Sequence, residues 1–241
     1  MEIRVSPGAK KPALIQAEPE PIEVDLQSTA IIVSDMQNAF VSKGGFFDLS
    51  GKDISRGQKI IEPIKDICNA ARAKQVKVIY VAGRNSPDLR EMGNPSQPRW
   101  YKAERFYREH PEWRDKFLTR GTWGADIVEE LQPQEGDILV EKVIQSAFFG
   151  TALDVMLGTF DIKYLIFVGV ATNICVEATI RDAFYYGYFP ILISDATAPI
   201  GPEYMQDATI FNVEQCYGWV TTTKELVNAL ADCSSPGKNL Q

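Results

Sequence analysis

The chain has 241 residues, of which 45% are hydrophobic, and its formal net charge is -7. A chain of this length and apolar content can bury one large core, so we expect a single domain. The acidic balance argues against nucleic acid and anionic membranes as partners, because both favour basic surfaces, and it leaves a small molecule as the expected ligand.

The four cysteines, Cys68, Cys175, Cys216 and Cys233, are irregularly spaced and include no CxxC pair. This spacing fits neither a disulfide framework nor a zinc cage, so we expect a reducing, cytoplasmic setting. No apolar run reaches the roughly 20 residues needed to span a bilayer, and the first residues lack the apolar core of a signal peptide. We therefore expect neither a membrane span nor export.

Residues 1–24 are distinct in composition, because four prolines lie among charged residues. Such a composition disfavours regular structure and predicts an extended N-terminal arm ahead of a single domain over residues 25–241. The arm either wraps a neighbouring subunit or is disordered, and the sequence does not distinguish these two cases.

Strands and helices alternate along the first part of the domain. The apolar run TAIIVS over residues 29–34 predicts a strand buried on both faces, which ends at Asp35. Residues 55–74 place isoleucines and alanines at helical spacing, so Cys68 is expected in the core. Residues 76–81 (VKVIYV) then predict a second strand, which completes a strand, helix, strand crossover.

Residues 83–122 are the longest stretch without a clear period, and they are rich in Arg, Pro, Asn and aromatic residues. A loop of this length inside a compact domain is usually functional, so we interpret it as a substrate-facing insertion or lid. The alternative is a surface excursion that packs against a second subunit, and one loop can serve both purposes.

The rest of the chain continues the alternation. Helices are predicted at residues 123–131, 151–157, 203–216 and 223–231, and strands at residues 137–141, 164–168, 189–194 and 219–221. This order, without internal repeats, predicts an α/β fold with a doubly wound parallel sheet and helices on both faces.

The stretch YLIFVGVATNICVEATIRDAFYYGY over residues 164–188 predicts a strand and then a helix that begins near Ile174. Thr172 and Asn173 precede this helix as candidate caps. Cys175 falls in the first turn, where unpaired N–H groups and the helix dipole stabilise a thiolate. Cys175 is therefore a candidate nucleophile, although an unpaired cysteine is more often a small buried apolar residue.

Three candidate catalytic side chains follow different predicted strands. Because ligands bind beyond the carboxyl ends of the strands in doubly wound sheets, Asp35, Lys142 and Cys175 are expected to meet at one rim. A carboxylate base, an ammonium and a thiol suit acyl transfer. Taken singly, Asp35 could equally cap a helix, and Lys142 could be a solvated charge. His110 lies within the long loop, so a Cys–His dyad is disfavoured.

At these positions the chain resembles the isochorismatase-like cysteine hydrolases, whose catalytic triad is an Asp, a Lys and a Cys. The resemblance covers roughly residues 24–230, through IIVSDMQNAF around Asp35, DILVEKVIQSAFFGTALD around Lys142 and GVATNICVEATIRDAFYYGY around Cys175. It implies that these three residues form the triad, that the peptide bond before Ala171 is cis, and that the backbone N–H groups of Ala171 and Cys175 form an oxyanion hole. It further implies substrate contacts from Gln37, Asn38, Glu91, Lys102, Phe148 and Asn173.

Other segments resemble one group of enzymes within this family. GGFFDLSG, GNPSQPRWYK, TRGTWGADIVEEL, DATAPIGPE and FNVEQCYGWV are similar to segments of family members that hydrolyse ureidoacrylate, a ureide of pyrimidine breakdown. This similarity implies an amidohydrolase that cleaves the carbamoyl or amide C–N bond of a small ureide through a thioester. Triuret, biuret or an N-carbamoyl amino acid is the alternative substrate, and a catalytically silent binding protein is the alternative of another class.

The resemblance weakens at residues 83–88, where GRNSPD stands in place of an Asn and Trp pair of the family. The loss of a large aromatic side chain predicts a wall that binds substrate through hydrogen bonds more than through apolar contact. Arg84 and Asn85 are the candidate contacts on that wall. Arg84 or Arg99 is expected to bind a carbonyl or carboxylate group bidentately.

We expect no metal and no other cofactor. Related nicotinamidases hold zinc through histidines near the site, and this chain has a single histidine. We also expect a homo-oligomer, either a dimer or a tetramer.

Overall fold

A computed structural model describes residues 11–92, 96, 98, 102 and 105–233 of the chain. Its strands are β1 (Pro12–Ile15), β2 (Ile22–Asp25), β3 (Thr29–Ser34), β4 (Lys77–Gly83), β5 (Ile138–Lys142), β6 (Tyr164–Val170), β7 (Phe189–Ala198) and β8 (Trp219–Thr221).

The helices are α1 (Asn38–Val41), α2 (Phe46–Leu49), α3 (Ser55–Lys59), α4 (Ile61–Ala73), α5 (Arg105–Glu109), α6 (Leu153–Thr159), α7 (Glu177–Tyr185), α8 (Tyr204–Asn212) and α9 (Thr223–Asp232). A π-helical turn at Thr172–Val176 leads directly into α7, and another at Val213–Tyr217 extends α8. Short 3-10 turns lie at Leu26–Ser28, Arg90–Met92, Pro111–Lys116, Trp123–Ala125 and Glu129–Leu131.

Strands β3 to β8 form a six-stranded parallel sheet in the order β5-β4-β3-β6-β7-β8, and β1 and β2 form a separate pair. The chain first builds outward from β3 to β4 and β5, and then returns to place β6 on the other side of β3. The strand order therefore reverses between β3 and β6, and in doubly wound sheets the ligand crevice lies at such a reversal.

Apolar side chains cover both faces of this sheet. One buried cluster joins α4, α9 and the β1–β2 pair to the sheet, and a second joins α6 and α7 to the opposite face. Cys68 belongs to the first cluster, as expected for the inner face of α4. The predicted α/β class, with a doubly wound parallel sheet and helices on both faces, is confirmed.

The N-terminal segment differs from the expected irregular arm where the structure describes it. β1 and β2 pair antiparallel in register from Pro12 opposite Asp25 to Ile15 opposite Ile22. The inward side chains Ile15, Ile22 and Val24 are fully buried in the first cluster. Residues 1–10 lie outside the described residues, so the division into an arm and a domain stays a prediction.

Two predicted helices are corrected by the structure. The helix predicted over residues 55–74 is divided into α3 and α4 at Ile60. Pro63 lies in the first turn of α4, where its missing N–H is tolerated, but it cannot donate to a preceding helical turn.

The helix predicted over residues 123–131 is wrong. Two 3-10 turns flank an extended segment there, because the backbone bonds with residues 36–38 instead of with itself. The N–H of Asn38 donates to Asp126, and the N–H of Val128 donates to Met36. Among the described residues, no helix has both the length and the apolar character required to cross a bilayer.

Candidate active site

Asp35 and Lys142 form a buried ion pair at the carboxyl ends of β3 and β5. Asp35 follows β3 directly and has a positive φ of 50°, a left-handed conformation that Asp tolerates better than most residues. Lys142 is the last residue of β5, and its Nζ lies 2.8 Å from Oδ2 of Asp35. The two residues are 1% and 4% exposed. The pair is thus shielded from solvent, which strengthens its mutual attraction.

Each oxygen of the Asp35 carboxylate has further donors. Oδ1 accepts the N–H of Gly83 at 3.2 Å, and Oδ2 accepts the Ser34 hydroxyl at 3.1 Å. Lys142 Nζ also donates to the carbonyl of Ile144 at 3.1 Å. These bonds fix the direction in which the carboxylate and the ammonium point.

The pKa of Lys142 is raised although burial alone acts to lower it. The opposing cause is the Asp35 carboxylate, which attracts and hydrogen-bonds the ammonium, with a further contribution from Cys175. Lys142 is therefore charged at neutral pH, despite its nearly complete burial.

Cys175 lies in the first helical turn after β6, which confirms that part of the prediction. The π-helical turn begins at Thr172, and its N-cap is Ala171, which provides no side-chain hydrogen bond. The predicted caps, Thr172 and Asn173, are therefore wrong. The Val170–Ala171 peptide bond is cis, as the family resemblance implied.

Gly169 brings the ends of β3 and β6 into close contact. Its φ is 110°, and a Cβ added there would lie 2.1 Å from the carbonyl oxygen of Ser34. Only glycine fits this approach, because it has no Cβ and adopts positive φ readily. Asp35 and the segment that leads to Cys175 are consequently held side by side.

The pKa of the Cys175 thiol is raised to about 12. Burial is the largest cause, and the Asp35 carboxylate adds to it, whereas Lys142 acts in the opposite direction. In the resting site, burial and the Asp35 carboxylate thus outweigh the opposing effect of Lys142. The thiol is protonated at neutral pH, and it needs a base to become a nucleophile.

A cavity of about 240 Å³ opens onto these groups. This volume lies below the roughly 300 to 1,000 Å³ of pockets that hold drug-sized ligands, so it suits a small molecule. The cavity is lined by several predicted site residues, namely Asp35, Asn85, Lys102, Lys142, Ala171 and Cys175.

Five phenylalanine side chains form an aromatic wall of the cavity. It consists of Phe40, Phe46, Phe47, Phe106 and Phe117. The ring centroid of Phe46 lies 3.8 Å from that of Phe106 and 4.4 Å from that of Phe117. Residues 83–88 contribute Gly83 and Asn85 to the cavity lining, and the expectation that this segment binds substrate through hydrogen bonds stays a prediction. The aromatic residues come from α1, α2 and the long loop, and the GGFFDLSG segment was the signal that could have identified Phe46 and Phe47.

Asn85 is a polar group on this cavity. It is 4% exposed, and its Nδ2 lies 3.5 Å from the Tyr107 hydroxyl. Its Oδ1 has no hydrogen-bond partner among the described residues. A buried acceptor without a partner costs free energy, so this oxygen is suited to bind a donor of a ligand.

Gln37 and Asn38 do not line the cavity. The Gln37 side chain donates to the carbonyls of Gly83 and Ala125 at 2.9 and 2.8 Å and accepts the Gly83 N–H at 2.9 Å. Asn38 donates to the carbonyl of Trp123 at 2.9 Å. These amides connect α1 with β4 and with the segment around residue 125, so they support the site from outside.

Arg84 and Glu91 also lie away from the cavity. Successive residues of an extended chain face opposite sides, so Arg84 faces away from Asn85 and pairs with Glu141 at 3.1 Å. Glu91 accepts the Ser86 N–H at 3.1 Å and pairs with Arg120 at 3.4 Å. Arg99 is outside the described residues.

Phe148 and Asn173 have other partners. Phe148 is buried in the second cluster, where its ring stacks on Tyr186 at 5.2 Å. Asn173 donates to the Ile200 carbonyl at 3.1 Å and accepts the Ile200 N–H at 3.0 Å. Asn173 therefore anchors the chain that follows β7.

Within the described part of the chain, no group of three or more His, Cys, Asp and Glu side chains could hold a metal ion. The absence of a metal and of any other cofactor stays a prediction.

Comparison with known proteins places this site in a family. The Isochorismatase domain model matches residues 29–225. The chain is 44% identical to ureidoacrylate amidohydrolase RutB of Caulobacter segnis over 223 residues, which cover 92% of each protein. It is also 44% identical to ureidoacrylate amidohydrolase RutB of Agrobacterium fabrum over 222 residues, 91% of this chain and 97% of that protein.

A solved structure agrees with this assignment. The cysteine hydrolase from Pseudomonas syringae pv. phaseolicola has a TM-score of 0.73 at 29% identity and covers 88% of this chain and 96% of its own. N-carbamoylsarcosine amidase from Thermoplasma acidophilum has a TM-score of 0.61 at 24% identity, with coverage of 81% and 96%, which shows a shared fold. From its sequence and its fold, the chain therefore belongs to the isochorismatase family.

Proposed function

We propose that this chain is a cysteine amidohydrolase that cleaves the carbamoyl C–N bond of ureidoacrylate. The observation that carries the proposal is the buried Asp35–Lys142 pair, whose carboxylate and ammonium both interact with the Cys175 thiol at the cavity. Relatives named ureidoacrylate amidohydrolases, 44% identical over more than 90% of this chain, support the choice of substrate.

In the first step, Asp35 accepts the thiol proton as Cys175 attacks the carbamoyl carbon. The proton transfer converts a carboxylate and a thiol into a carboxylic acid and a thiolate, so the number of buried charges does not change. Lys142 stays positive throughout and pairs first with the carboxylate and then with the thiolate. The high pKa of the resting thiol is compatible with this step, because the base lies beside it.

The attack produces a tetrahedral intermediate with a negative oxygen. The backbone N–H groups of Ala171 and Cys175 are proposed to bind this oxygen, because Ala171 lines the cavity and Cys175 lies in the first turn of a helix. Loss of one donor of this kind costs about 3 to 4 kcal/mol of transition-state stabilisation in other hydrolases.

Collapse of the intermediate breaks the bond to the enamine nitrogen, which takes the proton held by Asp35. This nitrogen is a better leaving group than ammonia, because its lone pair is delocalised into the acrylate. The carbamoyl group remains on Cys175 as a thioester. Water, with Asp35 again as base, then attacks the thioester, releases carbamate and restores the thiol.

The cavity has features that match each part of ureidoacrylate. The aromatic wall suits its flat, conjugated backbone, since rings pack favourably on planar groups. The Oδ1 of Asn85, which has no partner in the part of the chain that the structure describes, suits an N–H of the ureido group. Lys102 lines the cavity and supplies a cation for the carboxylate.

The proposal is tested by comparing kcat/KM for ureidoacrylate, triuret, biuret, N-carbamoylsarcosine and nicotinamide, with ammonia release as the common measurement. We expect ureidoacrylate to be the best substrate and Cys175→Ala to be inactive on all five. A higher kcat/KM for nicotinamide than for every ureide would overturn the substrate assignment, and full activity of Cys175→Ala would overturn the nucleophile.

We also propose a homo-oligomer, a dimer or a tetramer, in a reducing cytoplasm. Large exposed aromatic side chains on α7 and α8 support association, since Tyr185, Tyr204 and Phe211 are 69%, 64% and 63% exposed. The four cysteines are all free, which supports a reducing setting. Sedimentation velocity of the purified chain tests the first claim, because a single monomeric species would contradict it.

A further inference from the structure

A threonine one turn beyond Cys175 connects the helix that carries the thiol with the loop that follows Lys142. The Thr179 hydroxyl donates to the backbone carbonyl of Cys175 at 2.6 Å and accepts the backbone N–H of Ala147 at 3.1 Å. Thr179 is 1% exposed, so water does not compete for either bond. Its hydroxyl hydrogen and one of its lone pairs are thus both committed to backbone groups.

The Ala147 side of this connection leads directly to Lys142. We define the 143–148 loop as the residues that follow β5; three of them, Val143, Ile144 and Gln145, line the cavity. The carbonyl of Ile144 accepts a bond from the Lys142 ammonium at 3.1 Å. The 143–148 loop therefore supplies one of the two acceptors that hold the ammonium, and the Asp35 carboxylate is the other.

A second contact lies one turn further along α7. The Ser146 hydroxyl donates to the carboxylate of Asp182 and also accepts the Phe148 N–H at 3.2 Å. Thr179 and Asp182 together hold the 143–148 loop against the helix that carries the thiol. Of these two contacts, only the one through Thr179 also reaches the backbone of Cys175.

A threonine that donates to the carbonyl four residues earlier is common in helices, and it slightly bends them. The feature that distinguishes Thr179 is its simultaneous acceptance of an N–H from the loop that positions Lys142. One hydroxyl therefore links the backbone of Cys175 to the 143–148 loop, whose Ile144 carbonyl binds the Lys142 ammonium.

We propose that Thr179 is a positioning residue that sets the distance between the Cys175 thiol and the Lys142 ammonium, an inference that rests on the proposed function. Without the hydroxyl, the hydrogen bonds that join Thr179 to the Cys175 carbonyl and to the Ala147 N–H are both lost. Substrate still enters the same cavity, but the thiol and its ion pair are less well aligned when the proton moves.

The test compares kcat and KM for Thr179→Val, which keeps the shape but removes the hydroxyl, and for Thr179→Ser, which keeps the hydroxyl. Because displacements of about 1 Å at a reaction centre reduce rates by roughly 100-fold, we expect Thr179→Val to lower kcat by about 10- to 100-fold. For Thr179→Val, KM should change by less than about threefold. For Thr179→Ser, kcat should stay within about threefold of the wild-type value.

Thr209→Val is the matched control. Thr209 is also 1% exposed, and its hydroxyl donates at 2.6 Å to the side chain of Glu177 on α7, but it has no bond to Cys175 or to the 143–148 loop. Loss of the Thr209 hydroxyl should lower the melting temperature about as much as Thr179→Val does. It should leave kcat within about twofold of the wild-type value. If both valine variants lost kcat equally, or if Thr179→Val kept full kcat, the proposal would be overturned.

Hydrogen exchange provides a readout that does not depend on the substrate. Thr179→Val should increase amide exchange in the 143–148 loop and in residues 172–178, whereas Thr179→Ser and Thr209→Val should not. If the wild type hydrolysed no ureide, the proposed function would fail, but this exchange pattern would still decide whether Thr179 joins the two segments. Unchanged exchange in Thr179→Val would refute that connection.

Discussion

The backbone N–H of Gly83 donates to Oδ1 of Asp35 at 3.2 Å, so the end of β4 orients the carboxylate that follows β3. The other oxygen, Oδ2, faces Lys142 at 2.8 Å. The ends of β4 and β5 thus fix the carboxylate that follows β3, one at each of its oxygens. The effects of losing this ion pair on stability and on activity can be measured separately.

Replacement of Lys142 by Met should abolish turnover and lower the free energy of unfolding by about 3 to 5 kcal/mol, because it leaves a buried carboxylate without its partner. Urea denaturation measures the second effect. The double variant Asp35→Asn with Lys142→Met should recover most of the stability but none of the activity, since no buried charge remains unpaired.

Lys163→Met is the control for loss of a lysine. Lys163 pairs with Asp161 at 3.8 Å, and both side chains are largely exposed. Loss of such a surface pair should change stability by less than about 1 kcal/mol. A Lys142→Met variant as stable as Lys163→Met would show that the buried pair has no special role.

Asp35→Asn should accelerate alkylation of Cys175 by iodoacetamide at pH 8 while it abolishes turnover. The pKa of the thiol is about 12 chiefly because of burial, and the Asp35 carboxylate raises it further. Removal of the negative charge lowers the pKa of the thiol and increases the thiolate fraction, which is the species that reacts. In the wild type, the alkylation rate should keep rising with pH up to pH 10 without a plateau.

Peptide mass spectrometry measures the rate at each cysteine. Cys216 is exposed and does not line the cavity that holds this carboxylate, so its alkylation rate should be the same in both proteins. Slower alkylation of Cys175 in Asp35→Asn would indicate that the carboxylate activates the resting thiol instead of opposing its ionisation.

The convergence of Asp35, Lys142 and Cys175 could be predicted from sequence because it depends only on topology. β3 has the predicted bounds, residues 29–34, since an uninterrupted β-branched run leaves little ambiguity about a buried strand. Parallel strands share one carboxyl edge, so residues that follow them meet without any knowledge of the loops.

The substrate wall could not be predicted in the same way. Phe46 lies on a four-residue helix, and Phe106 and Phe117 lie in the long loop, so no hydrophobic period identifies them as neighbours. The side chains of Arg84 and Asn85 face opposite sides of the chain, and which of the two faces the cavity depends on the register of the strand before them. The pKa of Cys175 depends on the balance between burial and two nearby charges, which sequence spacing alone does not determine.

Phe46→Leu should raise KM for ureidoacrylate by about 2- to 10-fold, since an aromatic contact contributes roughly 0.5 to 1.5 kcal/mol beyond its buried area. kcat should change little, because Phe46 has no group that takes part in the proton transfer or in the attack. Selectivity for ureidoacrylate over ureidopropionate, its saturated analogue, should fall, because the flat backbone loses the ring against which it packs.

Phe149→Leu is the control for this prediction. Phe149 is 57% exposed and does not line the cavity, so its loss should leave both KM and the selectivity unchanged. If Phe46→Leu kept the wild-type selectivity, the aromatic wall would not contribute to recognition of the planar substrate.

Asn85→Leu should lower kcat/KM for ureidoacrylate by about 10- to 100-fold, because it removes a buried acceptor that has no partner among the described residues. The decisive comparison uses an analogue dimethylated at the terminal nitrogen of the ureido group, which lacks the two N–H donors of that nitrogen. The wild type should discriminate strongly against this analogue, since Oδ1 of Asn85 then stays unpaired. In Asn85→Leu the discrimination should largely disappear, because no acceptor is left to satisfy.

Thr119→Val separates this effect from a general change in polarity. Thr119 lies opposite Asn85 in an isolated strand pair, and its hydroxyl is also buried without a partner in the described part of the chain, but it does not line the cavity. We therefore expect Thr119→Val to keep the wild-type kcat/KM and the wild-type discrimination. If Asn85→Leu discriminated against the methylated analogue as strongly as the wild type does, Asn85 would not be the acceptor, and the ureido N–H groups would have to bind elsewhere in the cavity.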